Sequence, residues 1–144
     1  MGRQHIDIRT TTEAEPDAVW RLLGDSYTWP SWSPIEWVIL DRHGDADGLG
    51  EVRTFKQGKA RIREQIVERQ PERGLSYKLV SGLPLRSYHV DVDLTPQSPG
   101  TEIRWHTTFR SAIPGLGWLY RRALTKTMRQ FVDGLARHAR HAED

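Results

Sequence analysis

The chain contains no cysteine in its 144 residues. That excludes disulfides, thiolate nucleophiles and cysteine-based zinc sites, and it makes a cytoplasmic address the expectation. No apolar run approaches the roughly 18 residues of a membrane span. The opening Met1-Gly2-Arg3-Gln4-His5-Ile6 lacks the apolar stretch of a secretory signal. It also has Ile6 where a myristoylation signal wants Ser or Thr. Asparagine is absent and Arg far outnumbers Lys, which reads as genome bias. No block of like charge exists either. The formal charge is +2, from 21 positive and 19 negative residues. Residues 1–113 carry 15 positives and 16 negatives, and residues 114–144 carry 6 and 3. The basic excess therefore lies in the C-terminal segment, with no basic-aromatic run, and nucleic acid is not an expected partner.

What is present is an ordinary globular composition, 37% hydrophobic and 28% charged, which fits neither a disordered nor a membrane chain. The length suits one domain, residues 1–144, large enough for a core with a pocket inside it. Residues 5–11 alternate, with Ile6, Ile8 and Thr10 on one side, and predict a strand. Pro16 opens a helix carrying Ala18, Val19, Leu22 and Leu23, which ends near Gly24-Asp25. Trp29-Pro30-Ser31-Trp32-Ser33-Pro34 is a stiff aromatic connection with a short helical turn.

From 35 to 112 the turn signals divide the chain into six strands. These are Ile35–Asp41, Val52–Phe55, and segments near 60–68, 74–81, 86–95 and 101–111. Asp47-Gly48 and Lys56-Gln57-Gly58-Lys59 mark the first turns. Placing Ile62, Glu64, Ile66, Leu75, Tyr77, Leu79, Tyr88, Val90, Val92, Leu94, Ile103, Trp105, Thr107 and Phe109 inward makes antiparallel partners sum to odd numbers. Ile66 then faces Leu75, Leu79 faces Tyr88 and Leu94 faces Ile103. Each pair leaves a four-residue loop rich in Pro or Gly. The outer face pairs Asp93 with Arg104 and Asp91 with His106. The strand at 52–55 does not fix its own face, because Val52 and Phe55 point opposite ways.

Pro114 opens a long helix over 114–141. Tyr120, Leu124, Thr127, Phe131 and Leu135 form its apolar stripe, flanked by Leu116, Ala123 and Met128. Arg122, Lys126, Arg129, Asp133, Arg137 and Arg140 face solvent. Gly134 costs this helix about 1 kcal/mol against Ala, and close packing against another element is one reason to keep it. The order is β-α-α-β6-α, an α+β fold. Seven antiparallel strands with one long helix must curl around it, and a cavity remains between them unless side chains plug it.

Several residues in this order resemble the SRPBCC, or helix-grip, superfamily of START and Bet v 1-like domains, in its polyketide cyclase/dehydrase-like branch. They are Pro16-Asp17-Ala18-Val19-Trp20, Asp25 with Trp29-Pro30-Ser31-Trp32, Gly48-x-Gly50, Arg63-Glu64-Gln65-Ile66 with Pro71 and Leu75-Ser76-Tyr77, Gly100-Thr101, and the closing helix. The likeness covers nearly the whole chain. It implies a seven-stranded curled sheet gripping the C-terminal helix, with a hydrophobic cavity between them, and names no occupant.

Catalytic and metal motifs are weak. Gly115-x-Gly117 lacks the third glycine of a nucleotide loop. Asp45-x-Asp47-Gly48 lacks the bidentate acid of a calcium loop. His138-x-x-His141 has no third ligand, and no Gly-x-Ser-x-Gly elbow exists. Neither a metal nor a cofactor is expected. Glu64 is the candidate catalytic acid or base. On an apolar wall it either finds a charged partner or takes up a proton. A salt bridge to an Arg, or a place at the rim, is the structural alternative.

Tyr77, Tyr88 and Trp105 each offer an apolar body and one donor. With Trp37, Leu83, Phe109 and Phe131 they complete the expected ligand-binding set. The loops Gly82-Leu83-Pro84-Leu85 and Lys56-Gln57-Gly58 are expected at the cavity mouth. No His or Arg is placed inward, since His89 and His106 fall outside, and this favours binding over catalysis. The expected function is binding of a small hydrophobic, aromatic or polycyclic ligand. The alternative is a cyclase, aromatase or dehydratase using Glu64 with Tyr77 or Tyr88. A partner-binding regulator is a third reading, and the sequence leaves monomer and homodimer open.

Overall fold

The computed structural model describes residues 2–46 and 48–142. Asp47, part of the expected turn and of the calcium-like motif, lies outside the described residues. The strands are β1 (Gln4–Thr12), β2 (Trp37–Arg42), β3 (Val52–Gln57), β4 (Ala60–Gln70), β5 (Gly74–Ser81), β6 (Leu85–Pro96) and β7 (Thr101–Ser111). Helices α1 (Pro16–Leu23) and α2 (Trp29–Trp32) separate β1 from β2, and α3 (Gly117–Ala142) follows β7. All pairings are antiparallel, in the order β1-β7-β6-β5-β4-β3-β2. The sheet is not closed, and β1 and β2 are its edges. The α+β helix-grip architecture is thus as expected.

The inner face of the sheet packs on α3 through Met128, Phe131, Val132, Leu135 and Ala139, all buried. The basic side of α3 is exposed at Arg122, Lys126, Arg129, Arg137 and Arg140. At Gly134 a Cβ would overlap the carbonyl oxygen of Trp32, so α2 and α3 meet backbone to backbone. Both α2 tryptophans are buried, and their ring N–H groups are satisfied. Trp29 Nε1 donates to Leu23 O at 3.2 Å and Trp32 Nε1 to Thr28 Oγ1 at 3.2 Å. A large apolar ring can then be buried without stranding its donor.

Leu94 faces Ile103, Asp93 faces Arg104 and Asp91 faces His106, as the odd-sum register requires. Tyr77 faces Val90, which continues the register expected between β5 and β6.

Three expectations need correction. Ile66 faces Tyr77 rather than Leu75: the turn is Pro71-Glu72-Arg73, with Gln70 opposite Gly74, and Val67, an extra residue on β4, then moves the ladder by one. Ser87 and Tyr88 lie together opposite Phe109, with Ser87 in the left-handed region at φ 53°, so the β6 ladder is interrupted there. The long helix begins at Gly117 rather than Pro114. Gly115, at φ +83°, takes a conformation that a right-handed helix cannot continue through.

The pairing of β5 with β6 stops at Lys78 and His89. Beyond it the strands are joined only by the loop at 82–84, so the sheet parts on the side facing the first half of α3.

Candidate functional site

A cavity of about 210 Å³ lies between the parted sheet and α3. Strands β3 and β4 supply Phe55, Gln57, Ala60, Ile62 and Glu64. The β5–β6 loop and the start of β6 supply Leu83, Pro84, Leu85 and Tyr88. Helix α3 supplies Tyr120, Ala123, Leu124, Thr127, Met128 and Phe131. The left-handed Ser87 turns the bulge so that Tyr88 joins the inner face. Glu64 is the one charged residue in this lining.

Glu64 faces Arg53 across the β3–β4 ladder. Arg53 Nη2 donates to Glu64 Oε1 at 3.1 Å, with side-chain exposures of only 1% and 4%. The guanidinium carbon stands 3.9 Å over the Trp29 ring and 4.9 Å over Tyr77. These aromatic faces attract the cation and help offset its loss of water. Arg53 Nε is buried with no partner among the described residues.

Burial drives the Glu64 carboxyl up from 4.5 to about 7, against the pull of Arg53's charge and hydrogen bond. The cost of removing the carboxylate from water exceeds what one guanidinium returns. Tyr77 and Tyr88 are pushed well above their ordinary value, by burial first and then by Glu64. Both phenols therefore remain protonated at neutral pH.

The eight singled-out residues divide into three groups. Glu64, Leu83, Tyr88 and Phe131 line the cavity together. Tyr77, Trp105 and Phe109 are buried in the core and do not line it. Trp105 belongs to an aromatic cluster with Trp29, Trp32 and Phe131, its centroid 5.8 Å from Trp29 and 5.6 Å from Phe131. Trp37 is on the other side of the sheet, opposite Lys56, with the Arg61 guanidinium 5.5 Å over its ring. The expectation that Trp37 belongs to the ligand-binding set is therefore corrected: Phe55 faces inward, so Lys56 and its partner Trp37 face outward.

Arg53 corrects the expectation of no inward Arg. The signal was available in the turn after β3. Gln57 pairs with Ala60 around the left-handed Gly58, at φ +60°. Continuing the odd-sum rule from Ile62 puts Phe55 and then Arg53 inward. His89 and His106 do lie on the outer face, bonded to Asp91 and Asp93. Gln57 and the Leu83-Pro84-Leu85 segment line the cavity, as the loop positions suggested. His138 Nδ1 is 3.2 Å from Gly134 O of its own helix. Among the described residues no group of three His, Asp or Glu side chains could hold a metal, and no helix is long and apolar enough to cross a membrane.

Comparison with known proteins gives the same architecture. The Zhui aromatase/cyclase from Streptomyces sp. R1128 superposes with a TM-score of 0.86 at 14% identity, covering 99% of this chain and 97% of that one. A START superfamily protein from Mycobacterium smegmatis gives 0.84 at 11% identity, over 98% and 99%. Ara h 8.0201 gives 0.76 at 14% identity, over 96% and 98%. Identities this low show the shared fold and leave each protein's chemistry its own. No curated protein sequence matches. The model of the family described as polyketide cyclase / dehydrase and lipid transport matches residues 3–140. With nearly its whole length matched, the chain belongs to that family, within the helix-grip superfamily.

Proposed function

We propose that the protein binds a small apolar molecule of one or two rings that carries a hydroxyl or other hydrogen-bonding group. One observation carries the reading: an otherwise uncharged cavity meets a buried Glu64 whose carboxylate is bonded, among the described residues, only by Arg53, through Oε1. A cavity of roughly 150 Å³ holds benzene, so about 210 Å³ suits one substituted ring or two fused rings. Larger polycyclic ligands would need the 82–84 loop to move. Apolar walls supply affinity, and Glu64 Oε2 and the Tyr88 hydroxyl supply orientation.

Titration calorimetry with naphthalene and 2-naphthol tests this. The wild type is expected to bind both and to prefer the naphthol. Glu64→Gln is expected to lose about tenfold or more on the naphthol alone, the worth of a hydrogen bond to a charged group. Equal affinities for the naphthol in both proteins would refute the polar contact.

A second reading, a cyclase or dehydratase, is favoured by the same carboxyl. A group poised near neutrality can both take and give a proton, and protonated Tyr88 lies in the same cavity to polarise a carbonyl. Tyr77 is outside the lining, so Tyr88 is the phenol for this role. The Zhui protein is an aromatase/cyclase on the same fold. Turnover of a poly-β-keto substrate, abolished in Glu64→Gln, is the outcome that would select this reading.

A further inference from the structure

Arg53 is held at both ends. Nη2 donates to Glu64 Oε1 at 3.1 Å, and Nη1 donates to Ser26 Oγ at 3.1 Å. The Ser26 hydroxyl donates onward to Glu51 Oε2 at 2.6 Å. Ser26 is buried, in the 3₁₀ turn Ser26–Thr28 before α2, and Glu51 immediately precedes β3. Glu51 and Ser26 also line a separate polar crevice, shared with Asp25, His43 and Arg69, on the other side of Arg53 from the cavity. One guanidinium thus lies between two carboxylates, one facing the cavity directly and one reached through a hydroxyl.

Resting on the reading of Glu64 as the cavity's polar contact, we propose that Ser26 and Glu51 are positioning residues for that acid: they hold the far end of Arg53 and divide its charge between two carboxylates. Arg53 cannot give up its proton at working pH, so the chain carries no proton between crevice and cavity. Its effect is electrostatic. While Glu51 is ionised, the guanidinium is partly neutralised from behind and stabilises Glu64's charge less. The groups facing Glu64 are Arg53 on β3, Tyr77 on β5 and Tyr88 on β6, and neither phenol is charged at neutral pH. On α3 the neighbouring lining residues are Thr127, Met128 and Phe131, all uncharged. Glu51 is therefore the further charged group bonded to the pair, through Ser26.

Isotope labelling of the glutamate carboxyls allows Glu64 to be titrated by NMR without any ligand. Glu51→Gln keeps the shape and removes the competing charge, and it is expected to lower the Glu64 midpoint by about one pH unit. Ser26→Ala keeps both charges and cuts the bridge. Glu51 then turns to the crevice water, and the midpoint falls by less. Glu51→Asp, which retains the charge, is expected to stay nearer the wild-type value than Glu51→Gln. A folded Glu51→Gln with an unchanged Glu64 midpoint overturns the proposal, and if that variant does not fold, an unchanged midpoint in Ser26→Ala does so. Because no ligand enters this titration, a failure of naphthol binding would refute the proposed function and leave this result standing.

Discussion

Gly134 of α3 and Trp32 of α2 touch without any intervening side chain, and a Cβ at 134 would overlap the Trp32 carbonyl oxygen. Two effects of Gly134→Ala therefore oppose each other. Helix propensity favours Ala by about 1 kcal/mol. Relieving the overlap means moving a backbone carbonyl and the buried rings attached to it, which costs more than the usual 1–3 kcal/mol of overpacking only if α2 cannot shift. Gly134→Ala is expected to lower stability by about 1–2 kcal/mol net, read from the urea midpoint. An unchanged or higher midpoint would mean that the two helices are not in backbone contact.

A stability profile against pH tests the burial of Glu64. Its folded value, about 7, lies above the unfolded value of 4.5. Between these two the folded protein holds the proton more tightly than the unfolded chain does. Glu64's contribution to stability is therefore greatest below 4.5, falls as the pH rises to about 7, and is level beyond. The fall is about 3 kcal/mol for a shift of this size. Glu64→Gln copies the protonated side chain, lacks the fall, and is expected to match or exceed wild-type stability at pH 8. A wild-type acid that costs stability where its neutral copy does not is what a site retained for function looks like. Parallel profiles for the two proteins would contradict the burial.

The parts of the fold readable in the sequence were those set by local pattern. The Leu94–Ile103 and Tyr77–Val90 registers followed from alternation and from hairpin loops that leave little freedom. Glu64's inward position followed from the parity of its neighbours Ile62 and Ile66. What local pattern cannot register is an inserted residue. Val67 and Ser87 are ordinary in composition, yet each displaces a ladder. Arg53 was missed because Val52 and Phe55 point opposite ways, so the strand at 52–55 did not fix its own face. Only the partners on neighbouring elements, Glu64, Trp29 and Ser26, show why it is buried. Tyr77, Trp105 and Phe109 share the inner face with Glu64, but parity cannot tell a cavity wall from a packed floor. That distinction depends on where β5 and β6 part.

Ala123 lies exposed on α3 where it lines the cavity. Ala123→Trp places a ring into the opening without disturbing buried packing. Its stability is expected to stay within about 0.5 kcal/mol of the wild type, while 2-naphthol affinity falls at least about tenfold. Unchanged affinity in calorimetry would place the bound ligand elsewhere.

The most direct test is an isotope-filtered NOE experiment on the complex of labelled protein with unlabelled 2-naphthol. Met128 and Ile62 stand on opposite walls of the cavity, one on α3 and one on β4. Cross-peaks from the ring protons to the methyl groups of both residues are the expected result. Saturable binding with NOEs only to surface methyls such as those of Val80 or Leu119, or no binding at millimolar ligand, would contradict a ligand seated between sheet and helix against Glu64.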